Sequence, residues 1–246
     1  MTNPNGLTIY RGPSMLDGAP IVAIATGLNK SSRNNKTGSM IQIWIMREDI
    51  SPRDAVNSGA DASVCGDCVH RGSVVDGQNR NRSCYVTIIH APRNVWSSYH
   101  RGIYPPATDL AAAFEGKAVR LGAYGDPAAV PLHVWQAVTS RASYFTGYTH
   151  QWRAFPELAT WCMASCDSET DYAHAKLLGF RAFRVRRQLD AKLPGEVACP
   201  ASAEMGKKTN CNACRACGGL SAKAKADIVI IAHGTPATHF ERAQAH

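Results

Sequence analysis

Seven of the nine cysteines in this 246-residue chain fall into two groups with the spacing of metal ligands. The first group, Cys65, Cys68 and Cys84, is a Cys-x2-Cys pair followed by a third cysteine after 15 intervening residues. The second group comprises Cys199, Cys211, Cys214 and Cys217. A Cys-x2-Cys turn directs two thiolates toward one metal centre, so the spacing indicates bound [4Fe-4S] clusters, one or two of them, or zinc.

The two groups differ in the number of ligands that they offer. Three thiolates leave one iron of a [4Fe-4S] cluster without a protein ligand, and a substrate or cofactor can bind there. His70 or His90 is the alternative fourth ligand, and either would turn this first site into a closed zinc centre. The second group has four thiols, and its Cys199-Pro200 pair matches the remote Cys-Pro of ferredoxin-like ligation. A four-cysteine structural zinc remains the alternative there.

Composition and charge narrow the class of protein. The chain is 45% hydrophobic and 19% charged, and its longest apolar runs are far shorter than the roughly 20 residues of a membrane-spanning helix. The N-terminus shows no secretory signal, so we expect a cytoplasmic protein whose cysteines stay reduced. The net charge of +8 favours a nucleotide or nucleic-acid partner, or else a solvated basic face. The basic residues cluster only at Arg181, Arg184, Arg186 and Arg187.

Short apolar runs alternate with helical segments, which predicts an α/β fold with a mainly parallel sheet in a single domain, residues 1–246. Strands are predicted at residues 21–25, 41–46, 119–124, 160–164, 181–185 and 228–232. Helices are predicted at residues 93–100, 109–115, 132–141 and 170–178. Two stretches interrupt this alternation. Residues 51–82 are rich in Gly, Asp, Asn and Ser and predict a long loop, so that a metal would order a cysteine loop over residues 51–84. Residues 195–219 predict a cysteine-rich, metal-binding C-terminal segment.

Polar residues beyond predicted strands are candidates for catalysis, because strand ends face the site in α/β barrels. These candidates are Asp126, His150 and His233. Asp167 is interpreted instead as a cap for the helix that begins near Glu169. Cys162 and Cys166 are interpreted as buried small hydrophobes. The loop with Ser31, Ser32, Arg33 and Lys36 has the composition of a phosphate cradle, although it matches no known spacing.

The strand over residues 119–127 ends in Tyr124-Gly125-Asp126-Pro127, and it follows the first strand, the cysteine loop and a helix. In this order the chain resembles the radical S-adenosylmethionine (SAM) superfamily. The resemblance implies a partial (β/α) barrel whose first strand precedes a three-cysteine loop. It also implies cofactor binding by Tyr124, Gly125 and Asp126, because a Gly-Gly-Glu-Pro-like motif of the family contacts the amino group of SAM. Here Tyr124 replaces the first glycine, Asp126 replaces the glutamate, and Cys-x2-Cys-x15-Cys replaces the usual Cys-x3-Cys-x2-Cys.

The chain is also similar, over almost its whole length, to a largely uncharacterised group of bacteriophage proteins. The shared features in this sequence are Cys65 and Cys68, Cys84-Tyr85, residues 120–126, residues 147–150, the cysteine triplet ending at Cys217, and His233-Gly234. This resemblance implies an iron–sulfur protein with a radical-SAM-like barrel, located in the host cytoplasm.

Together these features predict a radical-SAM-like iron–sulfur enzyme that acts on a nucleotide, a nucleic acid or a related substrate. A reductase or another electron donor would be its partner. The second cluster would relay electrons or brace the substrate side of the barrel. Two alternatives stay open, namely a zinc-stabilised nucleic-acid-binding module and an iron–sulfur electron-transfer protein. The sequence leaves the oligomeric state unknown.

Overall fold

A nine-stranded sheet forms the centre of the protein. The computed structural model describes residues 4–31, 34–206, 208–233 and 240. Within those residues the strands are β1 (Gly6–Pro13), β2 (Pro20–Thr26), β3 (Ile41–Arg47), β4 (Ser73–Val75), β5 (Gln78–Arg80), β6 (Ala118–Tyr124), β7 (Tyr144–Thr149), β8 (Met163–Cys166), β9 (Ala182–Arg186), β10 (Glu196–Ala198) and β11 (Asp227–Ile231). The sheet has the order β1-β2-β3-β6-β7-β8-β9-β11-β10, and β4 and β5 form a separate hairpin.

The sheet is parallel from β3 to β10, and only the β1–β2 and β2–β3 pairs are antiparallel. The prediction of an α/β fold with a mainly parallel sheet is therefore confirmed. Strands β3, β6, β7, β8, β9 and β11 lie side by side in chain order. In the part of the chain that the structure describes, the outer strands β1 and β10 do not pair, so the sheet stays open.

The helices are α1 (Pro52–Ser58), α2 (Ala62–Cys65), α3 (Ala91–His100), α4 (Leu110–Ala113), α5 (Leu132–Ser140), α6 (Glu169–Leu177) and α7 (Cys211–Cys214). The four predicted helices correspond to α3, α4, α5 and α6. The predicted strand at residues 160–164 is shifted, because a 3-10 helix occupies Pro156–Thr160 and β8 begins only at Met163. Within the described ranges, no helix is long and apolar enough to cross a lipid bilayer.

The prediction of one long loop at residues 51–82 is wrong. This segment contains α1, α2, a 3-10 helix at Val69–Arg71 and the β4–β5 hairpin. Ser51 caps α1, since its side chain accepts a hydrogen bond from the Asp54 amide, and Pro52 occupies the first turn. Asp76 and Gly77 have positive φ angles of 51° and 69°, as a tight hairpin turn between β4 and β5 requires. The cysteine loop is thus built on local secondary structure.

The two faces of the sheet have different neighbours because side chains alternate along each strand. On β6, Val119 and Leu121 belong to the core that contains Val134 and Trp135 of α5. The intervening residues Arg120, Gly122 and Tyr124 face a chamber on the opposite side. Helix α5 therefore packs on one face of β6, and the other face lines the chamber.

The predicted basic cluster is mostly internal. Arg181, Arg184 and Arg186 are 3%, 2% and 9% exposed. The Arg184 guanidinium forms a buried ion pair with Glu196, at 2.6 Å from Nε to Oε1. Arg181 and Arg186 donate hydrogen bonds to backbone carbonyl groups. These three arginines therefore form neither a solvated basic face nor a nucleic-acid interface, because their charges are used to join neighbouring segments.

Candidate functional site

All seven cysteines of the two groups line one chamber of about 400 Å³. Its walls also include side chains that alternate along β6, β7, β9 and β11, namely Arg120, Tyr124, Tyr144, Tyr148, Phe183, Val185, Ile228 and Ile230. Most of these are aromatic or aliphatic. The fold thus brings together two cysteine groups that are separated by more than 100 residues of sequence.

Helix α2 and the turn after it position the first pair of thiols. Cys65 is the last residue of α2, and the Cys68 amide donates a hydrogen bond of 3.3 Å to the Cys65 carbonyl. Gly66 lies between them with φ of 60°, and a Cβ at this position would lie 2.4 Å from the Gln151 side chain. The turn therefore requires glycine. The Cys84 amide donates a 3.0 Å hydrogen bond to the His70 carbonyl, which returns the third cysteine to this turn.

Arg71 and Asp126 fix this loop to the rest of the protein. The Arg71 guanidinium donates to the carbonyl groups of Gly66 at 2.7 Å and Gly59 at 2.9 Å, and to the Asp61 carboxylate at 2.7 Å. The Asp126 amide donates to the Val64 carbonyl at 2.6 Å. The end of β6 and the first cysteine pair consequently hold a fixed relative position.

The first three thiols affect one another's ionisation. Burial raises the pKa of Cys65 well above its usual value, and the neighbouring charges of Cys68, Asp61 and Cys84 raise it further. Burial likewise raises the pKa of Cys84, while the nearby Arg82 opposes the shift. Three adjacent thiolates in a buried chamber are unstable without a cation, and a bound metal provides that charge.

The second group is assembled from three segments. The Cys199 amide donates to the Val229 carbonyl of β11 at 2.9 Å, and the Cys211 amide donates to the Lys36 carbonyl at 2.8 Å. The Cys217 amide donates to the Tyr144 hydroxyl at 2.9 Å. Asn210 caps α7 by accepting a hydrogen bond from the Ala213 amide. The short helix α7 therefore presents Cys211 and Cys214 one turn apart.

The thiols of the second group also influence one another. Burial raises the pKa of Cys217 to about 12, and the neighbouring Cys199, Cys211 and Cys214 contribute to this shift. Burial raises the pKa of Cys211 as well, whereas the cationic Arg120 and Lys36 lower it. As in the first group, ionisation of these thiols depends on a positive charge among them.

The separation of the sulfur atoms bears on the kind of metal centre. Among the described residues, the one group of three or more His, Cys, Asp or Glu ligand atoms that all lie within 4.8 Å of one another is His70, His150 and Asp167. No three cysteine sulfurs meet this condition. Thiolates on a single zinc ion stand about 3.8 Å apart, given Zn–S bonds of about 2.3 Å and tetrahedral geometry. Among the described residues, the ligand spacing of a single-ion site is therefore found in the trio of His70, Asp167 and His150.

His70, Asp167 and His150 link the cysteine loop to the end of β8. His70 Nε2 lies 2.9 Å from Asp167 Oδ1, and His150 Nε2 lies 3.3 Å from Asp167 Oδ2. The other His70 ring nitrogen, Nδ1, is 2.7 Å from the Ser83 hydroxyl. Burial alone would raise the pKa of Asp167, but hydrogen bonds from His150 and His70 outweigh it and hold this pKa below the usual range. The trio can share a proton, and its ligand types also suit a divalent cation.

This geometry corrects the expected role of Asp167. Its side chain binds the two histidines, and Ser168 caps α6 by accepting a hydrogen bond from the Asp171 amide. The expectation that Asp167 caps the helix is therefore wrong by one residue, because the Ser168 hydroxyl already satisfies the exposed amide.

Asp126, Tyr124 and Gly125 line the chamber at the end of β6. The Asp126 carboxylate accepts hydrogen bonds from the Ala128 amide at 2.9 Å, the Thr149 hydroxyl at 2.7 Å and the His150 amide at 2.8 Å. This carboxylate therefore joins β6 to β7 and has little free capacity. Gly125 has φ of 81°, and a Cβ there would lie 2.6 Å from the Ile45 carbonyl oxygen.

The Tyr124 hydroxyl differs from Asp126 because it has no hydrogen-bond partner among the described residues, although the side chain is only 4% exposed. Burial raises the pKa of Tyr124 well above its usual value, and the charges of Cys65, Asp61 and Cys84 act on it as well. A buried hydroxyl without a partner is costly, so a group bound beside Cys65 and Cys84 would satisfy it.

Some of the remaining predicted site residues line the chamber and others lie away from it. His233 and His150 line the chamber, and His233 Nδ1 lies 2.9 Å from the Ile231 carbonyl. His90 is exposed before α3 and takes no part in the chamber wall. Cys162 and Cys166 are fully buried and are absent from the wall, as expected of small core residues. Lys36 of the proposed phosphate loop reaches the chamber. Ser32, Arg33 and Gly234 lie outside the described residues.

The chamber residues without a predicted role include Arg120, Tyr85 and Tyr148. Arg120 could have been found, because a charged residue inside the otherwise apolar β6 run requires a polar environment. Tyr148 could have been found by recognising β7, whose aromatic and β-branched residues favour a strand.

Comparison with protein-family models, curated proteins and solved structures finds no match for this chain.

Proposed function

We propose that this protein is an iron–sulfur enzyme with two cluster sites at a single chamber. Cys65, Cys68 and Cys84 would hold a [4Fe-4S] cluster with one open iron. Cys199, Cys211, Cys214 and Cys217 would hold a second, fully ligated cluster. The observation that carries this proposal is that all seven cysteines line the same chamber. Nine unpaired cysteines also suit a reducing cytoplasm.

The positions of the two candidate histidines support an open iron at the first site. Both ring nitrogens of His70 already have partners, Ser83 and Asp167. His90 is exposed and lies away from the chamber wall. A fourth protein ligand from either residue would require rearrangement, so the vacant position would remain accessible to a small molecule.

The arrangement of strands supports a radical-SAM-like enzyme. Six parallel strands follow one another in chain order, and one face of them lines the chamber, as in a partial (β/α) barrel. Bound at the open iron, SAM would be the source of a carbon radical, formed by reductive cleavage with an electron from an external donor. The chain's own residues would orient the bound molecules: Tyr124 donates its free hydroxyl, and Asp126 fixes the β6 turn. An external reductase would deliver the electron.

A nucleotide or nucleic-acid component is the proposed substrate class. The net charge of +8 supports an anionic partner, and the aromatic chamber walls suit the planar face of a base. The second cluster would lie beside this substrate, because its four cysteines share walls with Tyr144 and Tyr148. It would brace that side of the chamber or relay electrons.

The test uses anaerobically purified protein with SAM and a chemical reductant. We expect absorbance near 400 nm, roughly the region of thiolate-to-iron charge transfer, and release of 5′-deoxyadenosine. The double variant Cys65→Ala/Cys68→Ala should lose SAM cleavage while keeping the second cluster. Cys166→Ala is the matched control, because it removes a thiol that is outside the chamber, and it should keep both properties.

Three results would contradict the proposal in different ways. Zinc at both sites with no iron absorbance would favour the nucleic-acid-binding module, whose affinity would fall steeply with salt. Two clusters without SAM cleavage would favour an electron-transfer protein. Equal SAM cleavage by the Cys65→Ala/Cys68→Ala variant would remove the first group from the chemistry.

A further inference from the structure

Arg120 places a positive charge in the mostly apolar wall of the chamber. It lies on the chamber-facing side of β6, and its neighbours there are Gly122 and Tyr124. Its electrostatic neighbours include Tyr85, which directly follows Cys84, and Cys211 of the second group. The guanidinium therefore lies between the two cysteine groups and faces the space that a substrate would fill.

The guanidinium has few protein partners. Its Nη2 atom donates one hydrogen bond of 2.8 Å to the Tyr85 hydroxyl. Among the described residues, no carboxylate forms an ion pair with it, whereas Arg71 pairs with Asp61 and Arg184 pairs with Glu196. A guanidinium offers five N–H donors in a planar fork, so most of its capacity is unused.

The chamber wall around Arg120 is mostly apolar. Tyr148, Phe183, Val185 and Ile230 contribute aromatic or aliphatic surface to the same chamber. A cation beside such surface loses part of its hydration, and an oxyanion would restore both charge balance and hydrogen bonding. Arginine suits this purpose because its fork matches the oxygen geometry of phosphate and carboxylate groups.

Lys36 adds a second positive charge at the same chamber. It lines the wall, and its carbonyl holds the Cys211 amide, so the lysine is attached to the second cysteine group. Its charge and that of Arg120 both act on Cys211. Two cations near one apolar space favour an anion more strongly than either would alone.

We propose that Arg120 is the receptor for an oxyanion, phosphate or carboxylate, on the molecule that occupies the chamber. Tyr85 would hold the guanidinium in position, and the aromatic walls would receive the apolar body of the ligand. This inference rests on the proposed function for the identity of the occupant as substrate. The binding site itself requires only the chamber and the charge.

Binding of small probes to the anaerobic full-length protein tests the inference. Phenyl phosphate and benzoate each combine an aromatic ring with one of the two oxyanions, and phenol provides the ring alone. We expect Arg120→Gln to weaken binding of the preferred oxyanion probe by about 10- to 100-fold. Phenol binding should change little. The stronger of phenyl phosphate and benzoate identifies the oxyanion.

Two further variants keep the test informative. Arg120→Lys retains the charge but loses the fork, so its binding should fall between wild type and Arg120→Gln. Arg101→Gln is the matched control, because Arg101 likewise donates to one hydroxyl, that of Ser98, but on the surface. It should bind the probes as wild type does.

The inference is overturned if Arg120→Gln, with unchanged iron content, binds both oxyanion probes as tightly as wild type. It is also overturned if wild type binds neither probe and Arg120→Gln loses iron from the second site, since Arg120 would then balance cluster charge. Arg120-dependent probe binding in a protein that lacks iron would support the receptor while refuting the proposed function.

Discussion

The two cysteine groups line the same chamber but lie in opposite chemical environments. The first group is surrounded by ionisable side chains, including Asp61, Arg82, Asp126 and His150. The second group packs mainly in an apolar cluster, in which Cys199 and Cys217 contact Met163, Ile228 and Ile230, although the charges of Arg120 and Lys36 reach Cys211. Charged groups can bind ligands and move protons, whereas apolar packing stabilises a fold. On the proposed function, we expect chemistry at the first site and a mainly structural role for the second.

The two cysteine groups also differ in the parts of the fold that hold them in place. The first is held by hydrogen bonds from a surface loop to the ends of β6 and β8, through Asp126 and Asp167. The second is held by hydrogen bonds to β11, to Lys36 before β3 and to Tyr144 of β7. Loss of the second centre should therefore damage the fold, while loss of the first should damage the chemistry.

The largest expected effect comes from removing the second centre. Cys211→Ala/Cys214→Ala should lower the free energy of unfolding by more than about 5 kcal/mol, because metal binding contributes directly to folding. Cys65→Ala/Cys68→Ala should cost clearly less. Anaerobic urea unfolding followed by circular dichroism measures both. An equal loss of unfolding free energy in the two variants, or a larger loss in Cys65→Ala/Cys68→Ala, would contradict a structural role for the second group.

The buried ion pair beside the second group gives the next effect. Glu196 is fully buried, accepts from Arg184 and also accepts from the Leu193 amide at 2.7 Å. Glu196→Ala should cost about 3–5 kcal/mol, because it leaves an unpaired buried guanidinium. Urea unfolding measures this loss. The double variant Arg184→Met/Glu196→Leu is the control and should recover most of the stability; if it does not, lost packing rather than lost pairing is responsible.

The smallest effect concerns the first group. Asp167→Asn should cost about 1.5–3 kcal/mol at pH 7, because it removes a charge-assisted hydrogen bond with His70 and the ion pair with His150. Since the folded-state pKa of Asp167 lies below its unfolded value of about 3.9, the wild-type advantage is complete above that pH. The advantage should shrink as the pH falls toward the folded-state pKa. Unfolding of wild type and variant across this range measures it, and a difference that grows on acidification would contradict the account.

Much of the fold was predictable from local pattern. The buried strands β2, β3, β6 and β11 are largely apolar runs, and the sequence predicts them within a few residues. The α1 helix and the β4–β5 hairpin were missed, although Ser51-Pro52 and Asp76-Gly77 are recognised signals for a helix start and a tight turn. Composition rich in glycine and polar residues obscured those signals.

The candidate site was predictable only in its residue types. Spacing identified the seven cysteines, but their meeting at one chamber depends on the lateral order of β6, β7, β9 and β11, which no local pattern encodes. The Asp167 contacts join residues 97 positions apart in the chain, so local analysis assigned it to the nearest helix instead. Long-range pairing of this kind requires the tertiary structure.

Iron, acid-labile sulfide and zinc analysis of anaerobically purified protein tests the central claim most directly. The account predicts about eight iron and eight sulfide per chain, and about four of each in the Cys65→Ala/Cys68→Ala variant. About two zinc ions per chain without sulfide would contradict it, because both cysteine groups would then hold single ions.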